Sequence, residues 1–254
     1  VTFGQGQNVG SIAIQALATG TYTVVVADGS TPHDAIGSYN LYFTRAPGAN
    51  EGGALTNGGV NPGTIDLGDL DSYTFSANSG EGILLHVADL SGTTSFFPVI
   101  TLYNPSGGFV TAGSGQKVGS VELQALTTGT YTVVVADAST TRDGVGNYNL
   151  YFVRAPGANE GGRLFDGVTH FDTIDLGDLD SYTFTANAGQ TAQITVTDTS
   201  GLLFTPVVTL YGPGGAFITF SAGPVTATIT YTILPAAGGV YTLVVEDLTT
   251  NRDA

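Results

Sequence analysis

Hydrophobic and polar positions alternate with a period of two over most of this chain. In SIAIQAL (11–17) Ile12 and Ile14 fall on one face, Ala13 and Gln15 on the other. The related SVELQAL (120–126) puts Glu122 on the exposed side. That period predicts strands with one face on a core, because successive side chains of a strand point to opposite sides. TYTVVVAD (21–28) offers no polar side at Val24, Val25 and Val26 and reads as a strand buried on both faces. Beyond the loop GSTPHDAIG (29–37), punctuated by Pro32 and glycine, Tyr39, Leu41 and Phe43 alternate with Asn40 and Tyr42. Further strands are predicted at 59–67, 71–77, 82–89, 97–103, 108–113, 118–125, 129–137 and 147–154. Their inward residues are Ile65 and Leu67, Tyr73 and Phe75, Ile83, Leu85 and Val87, then Tyr148, Leu150 and Phe152. Eight short strands in about 100 residues, with no helical period, predict an all-β fold of antiparallel sandwiches, jelly-roll or Greek-key-like.

The pattern repeats. TGTYTVVVAD stands at 19–28 and 128–137, with a looser copy, GVYTLVVED, at 239–247. GSYNLYFTRAPGANEGG (37–53) returns as GNYNLYFVRAPGANEGG (146–162). A spacing of 109 residues separates Tyr22 from Tyr131 and Ala46 from Ala155, and 31 of the first 45 positions are identical 109 residues on. The predicted organisation is therefore tandem domains of about 109 residues. Residues 1–45 are read as the C-terminal half of a first repeat, 46–154 as a complete repeat, and 155–254 as a third that lacks its last strand. Asn251–Ala254 match the loop that precedes that strand. With Val1 in place of a start methionine, the chain reads as a mature or excised piece of a longer product. The junction RAPGANEGG is too short to act as a loose tether, so neighbouring repeats are expected to be held close. A sandwich lacking an edge strand exposes an apolar groove and unpaired backbone. Tyr39, Leu41 and Phe43 could then be donated to another chain as a strand. The plainer explanation is a longer repetitive protein cut at convenient places.

Composition narrows the function classes. With 42% hydrophobic residues the 254-residue chain has ample material for a core. Charged residues are only 11%, but 21 are acidic and 6 basic, a net charge of −15. Such a surface disfavours nucleic acid and anionic membranes, both of which bind through cationic side chains. No apolar run reaches the length of a membrane span. Cysteine is absent, which removes disulfides, thiolate metal ligands and thiol nucleophiles.

The order IDLGDLDSYTF, an apolar strand, FPVITLYNPSG, then TGTYTVVVADASTTRDGVGNYNLYF resembles the bacterial pre-peptidase C-terminal domain family. The shared features are an acidic residue before an aromatic-alternating strand, a Leu-Tyr-x-Pro-x-Gly hairpin and a closing Gly-x-Tyr-x-Val … Gly-x-Tyr-x-Leu pair. The resemblance implies a secreted β-sandwich, often accessory to extracellular enzymes and sometimes tandem in large surface proteins. The chain departs from that pattern in lacking a catalytic domain and in the closeness of its copies.

Candidate chemistry concentrates in DLGDLD. Asp66, Asp69 and Asp71 return as Asp175, Asp178 and Asp180. The glycine permits a sharp turn that could converge hard oxygen ligands on a structural Ca²⁺. Asp137 and Asp143, or Asp28 and Asp34, could approach from a neighbouring loop. Turn aspartates bonding local N–H groups would give the same pattern. His33, His86 and His170 occupy unrelated repeat positions, His86 becoming Thr195, and read as lone surface or loop histidines. No serine lies in G-x-S-x-G, and the carboxylates show no glycosidase arrangement, so no enzyme is expected. Tyr42 and Tyr151 point away from the core, towards a sugar, a protein partner or a neighbouring repeat. The role expected is a structural part of an extracellular bacterial fibre, stalk or surface protein, with the chain itself as partner. The alternative is a secreted module that anchors an enzyme to polysaccharide or protein.

Overall fold

The computed structural model describes residues 1–92, 94–201 and 204–249. Among these the regular structure is strand throughout, in two sandwiches. The first contains β1 (Gly59–Ile65), β2 (Leu70–Ala77), β3 (Gly82–Asp89), β4 (Pro98–Tyr103), β5 (Phe109–Ser114), β6 (Val118–Gln124), β7 (Gly129–Asp137) and β8 (Gly146–Ala155). Its sheets run β1-β8-β3-β6 and β2-β7-β4-β5, every pair antiparallel. Ile65, Tyr73, Phe75, Ile83, Leu85, Val87, Tyr148, Leu150 and Phe152 meet in the core between them. Leu67 does not join them. β1 ends at Ile65 and Leu67 lies exposed in the turn that follows. Val133, Val134 and Val135 of β7 are all buried, so this strand is covered on both faces.

The second sandwich contains β9 (Gly162–Arg163), β10 (Asp180–Ala186), β11 (Thr191–Thr197), β12 (Pro206–Tyr211), β13 (Phe217–Ala222), β14 (Thr226–Thr232) and β15 (Gly239–Asp247). One sheet, β13-β12-β15-β10-β9, corresponds to β5-β4-β7-β2 of the first, with β9 added in parallel. The other is only β11-β14, the counterparts of β3 and β6. No described residue stands where β8 stands in the first sandwich. Residues 168–174, 109 positions after β1, form no strand, and Val168 and Phe171 are exposed. β1 bonds only to β8, so without β8 its counterpart has no ladder to join. The resemblance of 251–254 to a loop lies outside the described residues.

Residues 1–45 correct the strand expectations at 11–17, 21–28 and 39–43. None of these segments is a strand, and Val24, Val25, Val26 and Leu41 are exposed. The strands that pair with their equivalents, β1, β2, β3 and β4, have no counterpart within 1–45, and an extended segment without a neighbour cannot satisfy its backbone as a sheet. Local bonds form nonetheless. Tyr22 Oη donates to Ala18 O (2.8 Å), as Tyr131 does to Thr127 O (2.7 Å) and Tyr241 to Ala237 O (2.6 Å).

The outer face of β3 and β8 is covered by the second sandwich. Leu84, Ala88, Tyr151, Val153 and Ala155 pack on Leu179, Tyr211 and Val244 in a separate apolar cluster. Tyr151 is therefore buried against the next unit. Contacts at this junction recur near the start of the chain. Val118 packs over Gly177 and Val9 over Gly68. Gly157 N donates to Thr242 Oγ1, and Gly48 N to Thr132 Oγ1, each at 3.4 Å.

Candidate functional site

The site is the open strand position of the second sandwich together with the acidic step beside it. In the first sandwich β8 lies between β1 and β3, with Leu150 opposite Asn61 and Val87. Tyr148, Leu150 and Phe152 are 1%, 0% and 2% exposed. Phe152 packs on Phe75 with ring centroids 4.6 Å apart and planes tilted by 35°. Tyr148 Oη donates to Asp71 Oδ2 (2.5 Å) and lies 2.6 Å from Tyr73 Oη. In the second sandwich Ala192, Ile194 and Val196, the counterparts of Ile83, Leu85 and Val87, are only half-buried. Phe184, the counterpart of Phe75, stacks on Tyr241 (5.3 Å) but is half-buried, and no described residue occupies the place of Phe152.

A segment that matches the missing strand is exposed elsewhere in the chain. GSYNLYFTR (37–45) differs from GNYNLYFVR (146–154) only at Ser38 and Thr44. Tyr39, Leu41 and Phe43, equivalent to Tyr148, Leu150 and Phe152, are 69%, 62% and 78% exposed. The receiving position is not a perfect copy. Tyr148 lies against Gly63 so closely that a side chain on Gly63 would collide with its ring. Asp172 replaces that glycine 109 residues on and accepts from Tyr182 Oη (3.0 Å). A tyrosine entering the open position must displace the Asp172 side chain.

The two DLGDLD turns fold alike. Asp69 N donates to Asp66 O (3.1 Å) and Asp178 N to Asp175 O (3.0 Å). Asp69 and Asp178 also accept through Oδ1 from the next backbone N–H, at 2.8 and 2.7 Å. Gly68 and Gly177 hold φ of 78° and 73°, the left-handed region that glycine enters without strain. Beyond each turn the strand carries Asp71 or Asp180 inward. A carboxylate absent from the sequence-based candidates joins each set: Glu51 in one, Glu160 in the other. Its signal was available, since Glu51 and Glu160 lie in the repeated GANEGG at the same 109-residue spacing.

Electrostatics distinguishes the two copies. In the first, burial raises Asp71 while the Tyr148 hydroxyl pulls it back down. Glu51 is raised by burial and by the charges of Asp71 and Asp69. In the second, Glu160, Asp178 and Asp180 bring carboxylate oxygens within 4.8 Å of one another. Burial and the charges of Asp178, Asp180 and Asp172 raise Glu160 to about 8. Burial and the charges of Asp178, Asp172 and Asp175 raise Asp180 to about 7. Three such oxygens fit the donor chemistry of a hard cation and supply part of the six to eight that Ca²⁺ takes.

The loop aspartates play a different part. Asp137 accepts from Phe97 N, Ser139 N and Gly144 N at 2.8–3.0 Å, which closes its own loop. Asp28 binds Ser30 N (2.9 Å) and Ala35 N (3.0 Å) in the same manner. Asp143 accepts from Thr141 Oγ1 and from Asn8 Nδ2 (2.7 Å). The histidine expectation holds for His33 and His170, both exposed, and fails for His86, which is wholly buried. The outer face of its strand is covered by a unit that lies far away in sequence.

No protein-family profile and no curated protein matches the chain. Among solved structures, the pre-peptidase C-terminal domain of a collagenase from Bacillus anthracis aligns at 22% identity and a TM-score of 0.35. The alignment covers 43% of this chain and 99% of that one. Dimeric latent PorU from Porphyromonas gingivalis aligns at 10% identity and a TM-score of 0.22, over 75% of this chain and 19% of that one. The collagenase domain carries the name of the family that the motif order of this chain resembles.

Proposed function

We propose that the chain is a structural subunit or segment of an extracellular bacterial fibre, stalk or large repetitive surface protein. Its sandwiches stack through short junctions, and the open position of the second receives a YNLYF-type strand. In a single long parent chain that strand follows in sequence. In a fibre it is residues 37–45 of another copy. The observation that supports this reading is the pairing of an unfilled strand position, flanked by half-buried Ile194 and Val196, with an exposed near-identical copy of the strand that fills it in the first sandwich. Strand addition supplies main-chain bonds for affinity and alternate side-chain pockets for specificity. The acidic step beside the open position is the candidate structural calcium site of the assembly.

The test is a titration of the chain with a synthetic peptide of residues 37–46, followed by calorimetry. Binding should raise the melting temperature of the second sandwich alone, and a peptide carrying Leu41→Asp and Phe43→Asp should not bind. A chain that ignores the peptide, stays monomeric at every concentration and is retained on a polysaccharide or collagen matrix would replace this proposal with the binding-module one.

A further inference from the structure

His86, Glu122 and Glu246 meet where the two sandwiches join. β3 carries His86 on its outer face, β6 carries Glu122 in the same sheet, and β15 of the second sandwich brings Glu246 across. His86 Nε2 lies 3.5 Å from Glu246 Oε2 and 3.8 Å from Glu122 Oε1. One ligand atom from each of the three residues lies within 4.8 Å of the other two. The His86 and Glu246 side chains are buried, whereas that of Glu122 is 44% exposed and forms the solvent side of the cluster.

The orientation of the imidazole is set by a fourth group. His86 Nδ1 is 2.9 Å from the carbonyl oxygen of Gly177. A carbonyl can only accept, so Nδ1 carries the hydrogen and Nε2 is turned towards the two carboxylates. A backbone carbonyl on the far nitrogen is the outer contact that orients metal-binding histidines. The separations also suit a metal. Around a tetrahedral Zn²⁺ with nitrogen and oxygen ligands at about 2.0–2.1 Å, neighbouring ligand atoms stand about 3.3 Å apart. The His86–Glu246 and His86–Glu122 separations exceed that value by a few tenths of an ångström, and the Glu122 and Glu246 oxygens lie within 4.8 Å of each other.

We propose that His86, Glu122 and Glu246 form a three-ligand Zn²⁺ site that fastens the first sandwich to the second, with water completing the coordination from the Glu122 side. One imidazole and two carboxylates suit zinc, whereas calcium requires more oxygens and no nitrogen. The site belongs to this junction, because Thr195 takes the place of His86 one repeat later. Two of its ligands lie in one sandwich and the third, with the orienting carbonyl, in the other, so bound zinc couples their unfolding.

The test uses the full chain stripped with a chelator and titrated with Zn²⁺ by calorimetry, with melting followed in parallel. One zinc per chain should bind, and the melting transitions of the two sandwiches should move together on loading. Glu122→Gln, a partly exposed change, should weaken binding at least tenfold, as should Glu246→Gln. His86→Thr should abolish binding, while the paired change Asp66→Asn and Asp69→Asn should leave it intact. Failure of the unaltered chain to bind zinc, or binding that E122Q and E246Q leave unchanged, would overturn the proposal.

Discussion

The two sandwiches carry matching strands and differ most at the position of β8. Where β8 is present, β1 pairs along its whole length, β3 is buried at every residue, and Asp71 receives a tyrosine hydroxyl. Where no described residue takes its place, residues 168–174 form no strand, β11 alternates between half-buried and exposed, and Asp180 sits among carboxylates. The strand thus bears on the inward burial of both its neighbours and, through the Tyr148 hydroxyl, on the electrostatics of a turn distant in sequence. The outer faces differ as well. Leu84, His86 and Ala88 of β3 are covered by the second sandwich, whereas the matching Gln193, Thr195 and Thr197 face solvent. The polar composition of β11 agrees with the exposure of that face.

Three changes break or sharpen this comparison. The largest effect belongs to Leu150→Ala, which should cost the first sandwich about 2–5 kcal/mol, as deletion of a buried leucine side chain does. Its counterpart Leu41→Ala is exposed and should change stability by less than about 0.5 kcal/mol, while a peptide carrying it should bind the open position more weakly. Denaturant melts of the two variants and the peptide titration measure both halves.

The next effect is pH dependence of the second sandwich. Asp180 and Glu160, raised to about 7 and about 8, have unfolded values of about 3.9 and 4.3. Between those limits the folded form holds more protons, so their contribution is fully present below about pH 4 and is lost as the pH rises through 7 to 8. Acidification from pH 8.5 to pH 6 should therefore raise the second transition. Asp180→Asn should flatten the dependence, and Ca²⁺ at the step should reproduce the gain at high pH. The smallest effect is Asp172→Gly. Restoring the glycine found at position 63 should tighten binding of the 37–46 peptide about tenfold, equivalent to about 1.4 kcal/mol, by giving the Tyr39 ring room.

Much of the fold was legible because period-two alternation and turn residues act locally. Each strand from β1 to β8 overlaps a predicted segment, with ends that differ by a residue or two, as at Leu70, Ser114, Gly146 and Ala155. Leu67 was misassigned because alternation carries no sign of where a strand stops and its turn begins. The acidic step was half legible. The aspartates announce themselves in DLGDLD, but Glu160 reaches them only through the junction, and the rise in its pKa comes from neighbours that no short window contains. His86 was misjudged for a related reason. Its neighbours Glu122 and Glu246 come from β6 and β15, so neither spacing nor repetition could reveal the cluster.

By itself the sequence determined what closes within a few residues. The Tyr22–Ala18 bond and the Asp28 loop form in a segment with no sheet around them, just as their counterparts at Tyr131 and Asp137 form inside one. Only the tertiary structure decided whether the same letters become a core. Val133, Val134 and Val135 are buried, and Val24, Val25 and Val26 are not. A strand's backbone bonds and apolar faces are satisfied by other strands, and that choice of partners lies outside the strand's own residues.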